Sequence, residues 1–225
     1  MVGIKIIGVH QRDAMITAMN ADLQLPDSDI IYDERPEGGD VFTVAKQAWL
    51  APYAEGETHR VVINDDLEVC DGFREICEQI AAAHPDCIVS FFSTYYNSSY
   101  CDDEIAALQT PYVTHDRGIF GAAIMMPKDV AIECMGYTDE HYPGIKWETY
   151  AFHQYALEKG IPVISTIPCL VQHLGDDSLV DEHLPIRRTE RFVKQPAANW
   201  SSSDVETIKA MMEMTRPLMR PINWK

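Results

Sequence analysis

The sequence predicts an α/β protein, a doubly wound mixed sheet flanked by helices, in one domain with a helical C-terminal extension. Two observations predict it. Short apolar stretches alternate with helix-period segments over the first 92 residues, the pattern of strands joined by crossover helices. The 225 residues, 46% hydrophobic and 24% charged, can fill one sizeable core.

Gly3 to Val9 reads as a first buried strand. The segment after it, to about Leu23, reads as a helix with Ala14, Met15, Ala18 and Met19 facing inward. Asp29 to Asp33 is a second strand, closed by the turn-rich run Arg35-Pro36-Glu37-Gly38-Gly39-Asp40. Val41 to Leu50 is helical and stops before Pro52. Arg60 to Ile63 is a third strand, apolar enough to be covered on both faces. Phe73, Ile76, Cys77, Ile80 and Ala81 then recur at the spacing of one helix face, and Cys87 to Phe92 is a fourth strand.

From Ser93 to Arg117 the chain is mostly polar and reads as loop. Gly121 to Met126 is a small-residue strand. A helix follows over about Trp147 to Lys159, with Gly160 as its stop. Val163 to Ser165 and Cys169 to His173 are short strands. Ser203-x-x-Glu206 is a capping box opening a last helix, ended by Arg216-Pro217 and Arg220-Pro221. These signals divide the chain into a catalytic-type domain over 1–182 and an extension over 183–225 packing on it.

The formal net charge of −17 opposes general binding to polyanions, although a local basic patch remains compatible with it. No apolar run approaches the length of a membrane span, and Met1 to Val9 is too short for a signal peptide. The six cysteines show no zinc spacing, and several lie in apolar stretches, which fits a reducing cytoplasm.

The chemistry concentrates where the third strand runs into Asn64-Asp65-Asp66. In an open α/β sheet, ligands collect beyond the carboxyl ends of the strands. Along an extended chain Asn64 and Asp66 point one way and Asp65 the other. One side can hold Mg²⁺ or Mn²⁺, which take oxygen ligands completed by phosphates and water, while the other meets a sugar hydroxyl. A solvated strand end rich in Asn and Asp has the same composition.

The order of these segments resembles a GT-A glycosyltransferase, a Rossmann-like family, over roughly residues 3 to 180. Asn64-Asp65-Asp66 resembles its D-x-D motif, in which the last Asp binds the metal; Asn64 departs from the usual first acidic residue. Gly118-x-x-Gly121-Ala122-Ala123 resembles the strand beneath the donor sugar. Trp147-Glu148-Thr149 resembles the helix start that carries the base of inverting members. Leu170 to Ser178 resembles a late segment whose His, here His173, reaches the metal.

The resemblance implies a Mn²⁺- or Mg²⁺-dependent transfer of sugar from a nucleotide-sugar donor, a UDP-sugar above all, to a hydroxyl acceptor. It assigns Asp66 and His173 to the metal, Glu148 to the base, Asp65 also to the catalytic set, and Asp65, Asn64 and Gly121 to donor contacts. Asp33 sits where the family reads the nucleobase, and is equally a turn residue. His10 and Arg12 follow the first strand, where the resemblance implies contacts to base or diphosphate, and Arg12 equally fits a surface residue. Arg187, Arg188, Arg191 and Lys194 form a basic stretch that suits phosphate, with Arg187 and Arg191 as donor contacts, and equally suits a solvated surface segment. Glu148 also fits a helix-dipole acid, and Asp176 with Asp177 is the second choice for the base.

The resemblance implies an acceptor that is a polysaccharide or other glycan, or a hydroxymethylated DNA base of the phage type. Two other functions fit the same segments: a sugar nucleotidyltransferase, although Val9-His10-Gln11-Arg12 lacks the glycines of a phosphate loop, and a non-catalytic binding module on a transferase fold.

Overall fold

The computed structural model describes residues 1–35, 41–93, 110–114, 119–145, 148–174 and 188–201. Its elements run β1 (Val2–Gly8), α1 (Asp13–Leu23), β2 (Ile30–Tyr32), α2 (Val41–Leu50), β3 (His59–Asn64), β4 (Leu67–Val69) and α3 (Phe73–Ala83). There follow β5 (Ile88–Ser90), β6 (Tyr112–Thr114), β7 (Ala123–Pro127), α4 (Lys128–His141), α5 (Glu148–Lys159), β8 (Val163–Thr166) and β9 (Val171–His173).

Seven strands form one sheet in the order β2-β1-β3-β7-β5-β8-β6, and β4 pairs with β9 in a second, two-stranded sheet. β2, β1 and β3 are mutually parallel, as are β5 and β8. β7 runs antiparallel between β3 and β5, and β6 antiparallel along β8. The sheet is therefore mixed, as expected.

Alternation along β1 divides the core. Val2, Ile4 and Ile6 join Val61 and Ile63 on one face, under α1 and α3. Ile7 and Val62 point to the other face, under α2, α4 and α5. Helices thus cover both faces, and the doubly wound architecture is as the sequence predicts. The helix face Phe73, Ile76, Cys77, Ile80 and Ala81 is buried in full. α5 stops at Gly160, which takes a φ of 67°.

Several expectations need correction. In α1 the inward stripe is Ile16, Met19 and Leu23, whereas Ala14 and Ala18 are exposed. Residues His10–Arg12 form a separate 3-10 turn, so the helix starts later, and the larger side chains take the buried positions. α4 was not foreseen, yet Ala131, Cys134, Met135 and Thr138 carry its buried face at helical spacing. Their small volumes and Gly136 weaken the apolar signal. β6 lies within a stretch read as loop; three residues paired to β8 are too short to stand out. The capping-box helix after Ser203 lies outside the described residues, so the boundary at 182/183 stays an expectation. Cys70, Cys77, Cys87, Cys134 and Cys169 are buried free thiols. No described helix is long and apolar enough to cross a membrane.

Two buried imidazoles give a stability prediction. His59 bonds the Pro85 carbonyl through Nε2 at 3.1 Å, and His153 Nδ1 has no hydrogen-bond partner among the described residues. Burial pushes both below the ordinary histidine value, at His59 against the Pro85 bond that raises it. The unfolded chain then binds more protons than the folded one just below pH ~6.5. Melting temperature should therefore fall as pH drops from 7.5 to 5.5, and His153→Leu should flatten that slope. Melting curves independent of pH over this range would contradict the assignment.

Candidate functional site

From β1 the chain turns toward β2 at one side of the sheet, whereas from β3 it passes through β4 and α3 to β5 on the other. A crevice opens at such a reversal, outside the carboxyl ends of the two strands. Gly8 and Asn64 end these strands, so Asn64-Asp65-Asp66 lies at the switch point.

Asp65 reaches back over β1. Its Oδ2 accepts the Val9 N–H at 2.9 Å, and its Oδ1 accepts Arg12 Nη1 at 2.8 Å. A Cβ on residue 8 would come within 2.5 Å of Asp65 Cβ, so only glycine there leaves room for this carboxylate. Asp65, expected among the catalytic residues, thus has both oxygens engaged in tying β3 to β1. Burial pushes its carboxyl up, against the Arg12 and Val9 bonds.

Arg12 Nη1 lies equally close to Asp66, 2.9 Å from Oδ2. His173 Nδ1 stands 3.6 Å from the same oxygen. It is delivered by the antiparallel pairing of β4 and β9, which sets Leu67 opposite His173, and by the Leu174 N–H bonding the Asp66 carbonyl. The His173 ring packs edge-on against Phe92, which packs in turn against Phe120. Burial raises the Asp66 carboxyl, but His173 and Arg12 outweigh it and leave it below the usual range.

Asp66 Oδ1 and Asn64 Oδ1 are buried and have no hydrogen-bond partner among the described residues. Unpaired buried oxygens are costly and are the donor type that Mg²⁺ or Mn²⁺ takes. The described residues contain no group of three or more His, Cys, Asp or Glu able to hold a metal. The chain therefore offers a partial donor set, of the kind that substrate phosphates and water complete. On that chemistry the residues fit a divalent ion.

The antiparallel course of β7 brings its start to the same end of the sheet. Ile63 faces Ala123, and the Asn64 N–H donates to the Ala122 carbonyl at 2.9 Å. Just before it, Gly121 packs beneath the first turn of α5. A Cβ there would lie 2.6 Å from Thr149 Cγ2 and 3.3 Å from Glu148 Oε1. Gly121 and Glu148 are therefore brought together, and Glu148 is 5% exposed.

At the end of β2 the His10 ring stacks on Tyr32, centroids 4.1 Å apart and 14° from parallel. Asp13 and Glu34 hold the imidazole at 3.5 and 3.4 Å. The Asp33 N–H donates to the Gly8 carbonyl. Its carboxylate receives a two-pronged clamp from Arg35, Nε at 2.7 Å and Nη2 at 2.8 Å. Beside them opens a pocket of about 130 Å³ lined by Tyr32, Asp33, Glu34, Arg35, Thr43 and Gln47, among others. Gly8, Tyr32, Arg35 and Phe92 were not singled out from the sequence. Gly8 carried a usable signal, since glycine ending a buried strand marks a close approach.

Within the basic stretch, one cation is already engaged. Lys194 Nζ is taken by Asp22 and Glu68 at 3.2 and 3.3 Å and donates to the Val69 carbonyl. It fastens the C-terminal segment rather than standing free for phosphate. Arg191 lies where its carbonyl accepts the Cys169 N–H. Arg187, Trp147, Asp176 and Asp177 lie outside the described residues.

No protein-family model and no curated protein matches the chain. Among solved structures, the inositol-1-phosphate CTP transferase from T. maritima is similar at 11% identity and a TM-score of 0.33, covering 94% of this chain and 77% of that one. Similarity that weak assigns neither activity nor ligand to this chain.

Proposed function

We propose that the chain is a glycosyltransferase that takes a sugar from a nucleoside-diphosphate sugar, a UDP-sugar first, and passes it to a hydroxyl of a glycan. The observation that carries this reading is the pair of unpaired, buried oxygens on Asn64 and Asp66 at the switch point, with Glu148 brought to the same end of the sheet by Gly121.

The Tyr32–His10 stack and the pocket beside Asp33 suit a flat nucleobase. The diphosphate then crosses the ends of β1 and β3, near Arg12. Asp66 and Asn64, with His173 in support, would hold Mn²⁺ or Mg²⁺, which when bound neutralises charge on the departing diphosphate. Asp65 keeps the two strand ends in register. Glu148 accepts the proton of the acceptor hydroxyl as its oxygen bonds the anomeric carbon and the carbon–phosphate-oxygen bond breaks, with inversion. The pairing of Lys194 with carboxylates weakens the one basic stretch a DNA acceptor would need, which favours a glycan.

Incubation with a panel of nucleotide-sugars and Mn²⁺ or Mg²⁺ should release nucleoside diphosphate and free sugar slowly, and EDTA should stop it. Pyrophosphate release from a nucleoside triphosphate and a sugar phosphate would assign the nucleotidyltransferase instead. Nucleotide binding without turnover would leave the binding module. Glu148→Gln should keep donor affinity yet lose transfer by about 10²- to 10⁴-fold; undiminished transfer would remove Glu148 as the base.

A further inference from the structure

We infer that Arg12 is an internal cation that holds Asp66 when no divalent ion is present and competes with that ion for the site. This rests on the reading of Asp66 as a metal ligand.

The geometry is specific. One guanidinium nitrogen, Nη1, is shared between Asp65 Oδ1 at 2.8 Å and Asp66 Oδ2 at 2.9 Å. It therefore bridges the two carboxylates, with its charge at the position where a small cation would be attracted. The Arg12 side chain is 14% exposed, as is that of Asp66, so water screens the contact little. Arginine does not lose its proton in proteins, so the charge is always there. An ion reaching Asp66 meets an established positive neighbour and must displace it or bear its repulsion.

Asp65 does not depend on Arg12 alone. The Val9 N–H and the space over Gly8 fix it independently. Arg12 can consequently leave Asp66 without the strand ends coming apart. The side chain starts from the 3-10 turn His10–Arg12, which opens at the end of β1. A guanidinium released there is within the crevice that the diphosphate would cross, and it binds phosphate oxygens in a fork. Metal and nucleotide binding become coupled in this way. The ion alone binds weakly because it must displace Arg12 from Asp66 or bear its repulsion. Ion and diphosphate together bind tightly because phosphate replaces carboxylate as the partner of Arg12.

The test is titration of Mn²⁺ followed by the paramagnetic signal of the free ion, with and without uridine diphosphate. Wild type, Arg12→Gln, Arg12→Lys and Asp66→Asn are compared, each first checked by thermal melting. Arg12→Gln should bind Mn²⁺ alone about tenfold more tightly than wild type, within the usual range of coupling between sites. Arg12→Lys, which keeps the charge, should stay close to wild type and guards against an effect of altered packing. Uridine diphosphate should tighten Mn²⁺ more in wild type than in Arg12→Gln. Equal or weaker Mn²⁺ binding by Arg12→Gln overturns the inference alone. Absence of Mn²⁺ binding in wild type and every variant, with nucleotide present, takes the metal reading down with it.

Discussion

Replacing Asp66 with asparagine should abolish metal-dependent turnover while leaving the fold in place. Asp66 is the one protein carboxylate at the switch point with an oxygen that no described residue satisfies. On the proposed metal role of Asp66, losing the ion's charge on the leaving diphosphate would remove several kcal/mol of transition-state stabilisation, roughly a thousandfold or more in rate. Stability should change by only about 1 kcal/mol, since asparagine keeps the shape and Arg12 retains Asp65 as its partner. Donor-hydrolysis rates and urea unfolding of the two proteins separate these quantities. Wild-type turnover in Asp66→Asn would rule out the metal assignment; a collapse in stability would make Asp66 structural.

The largest stability effect should come from the opposite end of the sheet, with Arg60→Met. Arg60 sits in β3 and is fully buried. Its Nε donates to Glu57 Oε1 at 2.8 Å, and its other nitrogens donate to the carbonyls of Ala48, Trp49, Ala51 and Pro52. The guanidinium also lies 3.6 Å over the Tyr53 ring. One side chain thus closes the end of α2, whose last carbonyls have no helical partner. Methionine preserves the packing volume but strands a buried Glu57 carboxylate and those carbonyls. Breaking a buried pair this way costs about 3–5 kcal/mol, against a typical total of roughly 5–15 kcal/mol. Adding Glu57→Gln should recover part of the loss, because the uncompensated charge disappears. Denaturant unfolding measures both variants, and a loss under about 1 kcal/mol for Arg60→Met would contradict this account of β3.

These two residues also show how far the sequence could be read. The strand Arg60 to Ile63 and the acidic triplet after it were legible, because a short apolar run ending in Asn and Asp is a local pattern. So was the buried face of α3, which repeats at helical spacing. The role of Arg60 was not. A charged residue in an otherwise apolar strand gives no hint that its partners are carbonyls at the end of α2, eight to twelve positions earlier. The contact of His173 with Asp66 depends on β4 and β9, two strands of three residues drawn from distant parts of the chain. Pairing that short and non-local leaves almost no trace in sequence; only the motif order pointed to it. Arg12 was noted as a donor contact, yet its bridge between Asp65 and Asp66 needs β1 and β3 side by side. Asp33 and Arg35 are two residues apart, but their clamp exists only in the particular turn after β2.

On the proposed function, a nucleoside diphosphate and a divalent ion share the crevice at the ends of β1 and β3. A crystal grown with uridine diphosphate and Mn²⁺ tests it most directly, using the anomalous signal of manganese. An anomalous peak should stand at coordination distance from Asp66, with the diphosphate beside Arg12 and the base next to Tyr32. An ion with no contact to Asp66, or a nucleotide seated away from these strand ends, would contradict it.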